Sequence, residues 1–301
     1  MGVSHAHSHV SPRPTRASQR NALAIALVAN GLFMFVEVAG GIVFGSLALL
    51  ADAGHMASDV IALGIALAAQ RLMERPASAR HTYGLQRVEV LGAFANALLL
   101  LGVAGWVVFE AIGRLDDPAD VSGGGLLLVA AIGLVINLMS AGLLAKRAGE
   151  SLNMRGATLH MLMDAAGSVA AVVAGLAVVL WDAPRADPIA SIVIAALVLW
   201  SGWSLLGMTV HVLLEGTPRG MDPSNVEAAI AGDDAVESVH HLHTWNIASD
   251  TPALSAHVVL EGEVTLHQAQ EHGDRIKEML ASRFGIEHAT LELECHSCEP
   301  D

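Results

Sequence analysis

His55 and Asp59, and again His160 and Asp164, repeat the pattern His-x-x-x-Asp inside stretches otherwise apolar enough to cross a bilayer. Residues four apart lie on one helix face about one turn apart, so each copy turns an imidazole and a carboxylate the same way. Two nitrogens and two oxygens from a facing pair of helices make a closed four-coordinate set suited to zinc or a similar divalent ion. Ionisable groups in the lipid interior are costly and mark pathways for ions or protons. The alternative, in which carbonyls cap each histidine and each aspartate bonds helix to helix, has to account for the same pair twice. These residues therefore imply passage of a metal ion through a membrane.

The elements that must position them follow from composition. The 301 residues are 53% hydrophobic and only 15% charged, too apolar for an ordinary soluble domain. Six stretches, 21–45, 47–71, 88–113, 123–146, 156–181 and 188–212, reach the roughly 20 mainly apolar residues that a span needs. With the N-terminus in the cytoplasm, that side holds Arg13, Arg16, Arg20, Arg71, Arg75, Arg80, Arg87, Lys146, Arg147 and Arg155, and the other side only Arg114 and Arg185. The positive-inside bias then places both termini in the cytoplasm. No cleavable signal peptide is expected, since the residues before the first span are polar and the span is too long for an h-region. Antiparallel packing of the second and fifth spans levels His55 with Asp164 and Asp59 with His160.

Residues 213–301 differ in kind. They hold 17 acidic and 4 basic residues, nearly all of the net charge of −14, together with eight of the fifteen histidines and both cysteines. A field of that sign attracts cations and repels nucleic acid. A helix is predicted over 223–230, strands over 236–247 and 253–260, a long helix over 266–284 and a last strand over 289–294, by their periodicities. That α-β-β-α-β order resembles an open ferredoxin-like module. The expected fold class is a membrane α-helical protein with six transmembrane helices and a small α+β ferredoxin-like cytoplasmic domain. Its parts are a histidine-containing arm (1–20), a transmembrane domain (21–212) and a cytoplasmic domain (213–301).

Further groups fit metal chemistry. His240 and His257 fall on the two adjacent strands, and Glu292 and Glu294 share one face of the last strand because side chains alternate; His241 and His243 share a face with each other and would replace His240 under a shifted register. Cys295-His-Ser-Cys298 has the gap that lets two thiolates hold one ion, and by itself is half a site. His5, His7 and His9 of the arm, on the same side of the membrane, offer the missing ligands. Against this stand a redox pair or an acidic tail, a disulfide being disfavoured in a reducing cytoplasm. Asn30, Asn96 and Asn137 read as interhelical hydrogen-bonding residues, whereas Glu37 and Asp52 carry charge and suit an ion path. His81 either passes ions toward the membrane or is a solvated loop residue. His211 reads as structural, and His267, His272 and His288 as surface positions.

Leu50-Ala-Asp-Ala-Gly-His55-Met-Ala-Ser-Asp59, Tyr83-Gly-Leu-Gln-Arg87-Val-Glu89, the stretch from Asn153 to Asp164, His211-Val-Leu-Leu-Glu-Gly216 and Val239-His-His-Leu-His-Thr-Trp245 together resemble the cation diffusion facilitator family, nearly end to end. The likeness is closest to the zinc-transporting branch, of the bacterial zinc/cobalt/cadmium efflux type, with His and Asp on the second helix and again on the fifth. It implies a homodimer that exchanges cytoplasmic zinc for protons. It also implies a cytoplasmic zinc site using His240, His257 and an acidic residue of the last strand, Glu294 matching better than Glu292. Some relatives join an N-terminal histidine-rich motif of one protomer to C-terminal cysteines of the other, which here would unite His5, His7 and His9 with Cys295 and Cys298. This arm has His7 where some of those relatives place a cysteine. The Ala- and Gly-rich spans and brief loops suit a bacterial inner membrane.

Proton chemistry supplies a mechanism. Imidazole has a reference pKa of about 6.5 and binds metal only when neutral, so metal and protons compete for it. Zinc/proton antiport by alternating access is the expectation, with zinc as substrate and as a structural or regulatory ion, and cobalt or cadmium able to occupy the same geometry. An intramembrane metallohydrolase would need an open coordination position and a general base such as that of His-Glu-x-x-His, a motif the chain lacks. The remaining alternative is a membrane metal sensor or receptor without ion flux.

Overall fold

The computed structural model describes residues 16–148 and 152–296. Six long helices come first: α1 (Arg16–Phe44), α2 (Leu47–Met73), α3 (Arg87–Asp116), α4 (Gly123–Ala148), α5 (Leu152–Trp181) and α6 (Ala186–Leu213). Each is long and apolar enough to cross a membrane. The predicted spans match them, but α1 and α5 begin several residues earlier, because polar ends continue a helix past the hydrocarbon thickness and hydropathy does not register them. The arm's His5, His7 and His9, and Cys298, lie outside the described residues.

The described residues form two compact units, 16–61 with 99–148 and 152–202, and 62–98 with 203–296. In the first, α4 packs on α1 and α5 around Phe33, Leu47, Leu49, Leu126 and Ile194. Helices α4 and α5 approach closely at Gly175, where a Cβ would lie 2.9 Å from the Leu127 backbone. Small residues of this kind let membrane helices gain packing energy that lipid cannot supply.

The start of α2 is held from α6. Asp187 is buried; its carboxylate accepts hydrogen bonds from Ser46 Oγ at 2.6 Å, Leu47 N at 2.8 Å and Ala48 N at 3.3 Å. The first N–H groups of a helix have no partner within it, and hydrocarbon offers none. A carboxylate there also complements the helix dipole. Nothing in the local sequence signals this cap, since donor and acceptor are some 140 residues apart.

The second unit carries a three-stranded sheet, β1 (Val236–Ala248), β2 (Thr251–Leu260) and β3 (His288–Glu294), with α7 (Pro223–Ile230) and α8 (Leu266–Phe284). β2 is central, antiparallel to β1 and parallel to β3. Buried Ala269, Gly273, Ile276 and Leu280 form the inner stripe of α8, the 3.6-residue period of a helix laid on a sheet. They pack with Val226, Ile230, Leu254, Val258 and Leu260. Asp222 caps α7, and the Ser224 hydroxyl and backbone N–H that it accepts hold its carboxyl below the usual carboxylate range. A Thr265–Gln268 capping box opens α8 and Gly285, at φ +69°, ends it. The predicted elements agree to within two residues at either end.

Asp187→Ala would leave three helix-end donors unpaired at the α1–α2 turn, a loss of roughly 3 kcal/mol. The expected result is a clearly lower melting temperature in detergent, with Asp187→Asn intermediate; an unchanged melt for the alanine variant would refute the cap.

Candidate metal centres

Helices α2 and α5 bring the four side chains of the repeated pattern together inside the first unit. His160 Nε2 lies 3.1 Å from Asp59 Oδ2, and His55 Nε2 lies 3.4 Å from Asp164 Oδ1. The pairs within each helix are longer, 3.8 Å for His55–Asp59 and 3.8 Å for His160–Asp164. This crossed pairing is what antiparallel helices produce. An ion at 2.0–2.2 Å from each ligand needs neighbouring ligand atoms roughly 3.3–3.6 Å apart, and the four distances bracket that spacing. One ligand atom each from His55, Asp59 and His160 already lie within 4.8 Å of one another; Asp164 reaches the two histidines through different oxygens.

Access to this set is one-sided. The Asp164 side chain is 4% exposed and that of His55 14%, against 37% for Asp59 and 42% for His160. The open pair lines a cavity of about 160 Å³ whose other walls include Ala26, Leu27, Met56, Leu144 and Met161. Among the described residues, Asp164 Oδ1 makes no aligned hydrogen bond although it is buried, which leaves a lone pair for a cation. Asn30 donates to Ala26 O at 2.8 Å and to Ser140 Oγ at 3.2 Å, the interhelical role expected of it.

On the sheet, β-pairing sets His240 opposite His257 and His257 beside Glu292. Glu294, itself buried, lies 3.1 Å from His240 Nε2 and 2.6 Å from His257 Nδ1, while Glu292 is 3.5 Å from His257 Nε2. His241 joins them, which alternation along a strand forbids. A register shift between His240 and His243, with His241 at φ +47°, turns consecutive histidines to one side, as a bulge does. Nδ1 atoms of His240 and His241 are 3.1 Å apart, and the His241 and His257 rings 5.2 Å apart. Two overlapping groups result, His240–His241–His257 and His257–Glu292–Glu294.

Other predicted positions lie elsewhere. Cys295 is exposed, its sulfur 3.3 Å from Nδ1 of its neighbour His296. His211 Nε2 bonds the Thr217 carbonyl at 2.8 Å, a structural role in the turn after α6. His81 sits in an exposed turn bonded to Ser78. His272 pairs with Asp233, and His288 stacks edge-on to Tyr83.

Comparison with known proteins covers nearly the whole chain. The family profile described as "Cation efflux transmembrane domain" matches residues 23–214, and "Cation efflux protein, cytoplasmic domain" matches 218–296. The chain is similar to the "Metal cation efflux system protein CzcD" of Cupriavidus metallidurans, 38% identical over 99% of this chain and 92% of that one. It is similar to the "Zinc transporter ZitB" of Escherichia coli, at 39% over 99% and 95%. The "Cadmium, cobalt and zinc/H(+)-K(+) antiporter" of Bacillus subtilis is 36% identical over 98% and 94%.

The bulge makes a testable distinction between neighbouring histidines. In the full-length chain, His241→Ala is expected to weaken zinc binding to the sheet cluster about tenfold, near 1.4 kcal/mol, with His243→Ala close to unchanged. Equal effects in calorimetric titration would show that the two side chains do not differ in this way.

Proposed function

The chain belongs to the cation efflux family, the cation diffusion facilitators, and on that premise we propose that it exports zinc from the cytoplasm in exchange for protons, with His55, Asp59, His160 and Asp164 as the transport site. It is an integral membrane transporter and not an enzyme. The observation that carries the finer reading is the crossed pair of contacts, 3.1 Å and 3.4 Å, between imidazoles and carboxylates of two helices.

Neutral imidazoles and two carboxylates bind a dication and cancel its charge in a place where water cannot. Protons arriving from the far side occupy the same nitrogens and release the ion. Export results if the set loads when open to the cytoplasm and empties when open to the other side. The names of relatives, a zinc transporter and a cadmium, cobalt and zinc/H(+)-K(+) antiporter, support zinc with proton coupling and leave room for cadmium and cobalt.

In this reading residues 1–20 are a cytoplasmic arm, 21–212 the transmembrane domain and 213–301 a cytoplasmic domain, in a bacterial inner membrane with both termini inside. Two copies associate through the acidic domain. Zinc held by His240, His257 and Glu294, and by Cys295 and Cys298 with His5, His7 and His9, lowers the charge repulsion between the copies and biases the carrier as a regulatory ion.

Zinc flux into proteoliposomes under an imposed pH gradient tests the proposal. Asp59→Ala and Asp164→Ala are each expected to cut flux about 100-fold, roughly 3 kcal/mol for one lost ligand, with the protein still monodisperse. Wild-type flux in either variant would remove the transport site, and flux indifferent to the gradient would remove the coupling. His55→Asp, which swaps a nitrogen for an oxygen donor, is expected to raise cadmium flux relative to zinc; an unchanged ratio would deny the histidine a selective role.

A further inference from the structure

Within the first unit a second polar group sits beside the His/Asp set and takes no part in it. Glu37 on α1 and Asp52 on α2 are 1% and 3% exposed and lie beside each other. Ser168 Oγ of α5 donates to Asp52 Oδ2 at 3.5 Å, and Asn137 Nδ2 of α4 donates to Ser168 Oγ at 3.2 Å. Side chains from four helices thus form one connected polar group. The charged groups that act on the pair are Asp164 and His55, and among the described residues neither acid forms an ion pair with arginine or lysine.

Three observations point to a missing ligand there. Glu37 Oε2 and Asn137 Oδ1 are buried and have no hydrogen-bond partner among the described residues. Asn137 is itself 2% exposed, and its amide is aimed at the group through Ser168. Beside Glu37 only a glycine fits: a Cβ at Gly133 would lie 2.7 Å from the Phe33 ring and 3.3 Å from Glu37 Oε1. Buried polar atoms without partners are rare in native proteins and call for an ion or a water.

We propose that Glu37, Asp52, Asn137 and Ser168 form a second, all-oxygen station for the transported divalent ion, reached after the His/Asp set on the way out. The proposal rests on the function proposed above. Asp52 precedes His55 by three residues, about 4.5 Å along the helix toward the α1–α2 turn, which is the side away from the cytoplasm. Two carboxylates neutralise a dication, and a carbonyl and a hydroxyl complete an oxygen set. Such donors suit hard cations and hold zinc less tightly than imidazoles do. An ion that leaves the nitrogen-bearing site therefore finds a partner of lower affinity, from which it departs without being trapped.

Manganese, read by electron paramagnetic resonance on the full-length chain in detergent, is the probe. In a His55→Ala/His160→Ala background, adding Glu37→Gln and Asp52→Asn is expected to remove one bound manganese per chain. In proteoliposomes, Glu37→Gln or Asp52→Asn alone is expected to slow zinc flux about tenfold while equilibrium zinc binding at the His/Asp set changes less than about twofold. An unaltered manganese count overturns the station, and so does wild-type flux in both variants; altered proton uptake with an unaltered count assigns the acids to proton transfer instead. Where the carboxamide variants do not elute like the wild type, Asn137→Ala serves: a drop of about tenfold in manganese affinity supports the station and no drop overturns it. Wild-type flux in Asp59→Ala would instead strike the transport site, so the two failures are distinguishable.

Discussion

Hydrocarbon offers neither counter-charge nor hydrogen bond, and that one constraint organises the first unit. Among the described residues the acids there have been given company: the half-buried Asp59 and the buried Asp164 by histidines across the helix pair, Asp187 by three donors of the α1–α2 turn, and Glu37 by Asp52. The companies differ in what they leave over. Asp187 is satisfied within the protein and is a fixture. The histidine–aspartate set keeps buried acceptor capacity, which a cation would satisfy.

The sheet cluster obeys a different rule. Water reaches its rim, where Glu292 is 68% exposed, and its position depends on strand register. β2 is the middle strand, and its His257 meets His240 on one side and Glu292 on the other by pairing alone. The buried Glu294 then ties both histidines to the last strand. Rigid pairing supplies an arrangement that the long helices achieve by crossed antiparallel contacts.

Much of this was legible in the residues because it rests on short-range periods. The i, i+4 spacing of His55–Asp59 and His160–Asp164 states a common face, and the apolar runs around them state the solvent; together these led to four side chains that the fold does bring together. The α-β-β-α-β order was legible for the same reason, down to element ends that differ by at most two residues. What escaped depends on distant or irregular geometry. Asp187 looks like an ordinary acid at a helix start, and its partners are Ser46, Leu47 and Ala48 at the other end of the helical region. His241 was legible only as an alternative to His240 under a shifted register, whereas the bulge brings both to one side. Glu292 shares a face with Glu294, and only register could show that both approach His257.

The fixed start of α2 has a mechanical corollary. His55 and Asp59 lie about 12 Å and 18 Å along the helix from Leu47, whose N–H is pinned by Asp187. With one end anchored the helix acts as a lever, and a tilt of about 10° swings the two side chains through roughly 2–3 Å. Coordination tolerates errors of only about 0.2 Å. A tilt of that size exceeds what a metal site tolerates, so the geometry of His55 and Asp59 depends on Asp187, a carboxylate that lies outside the four-residue set.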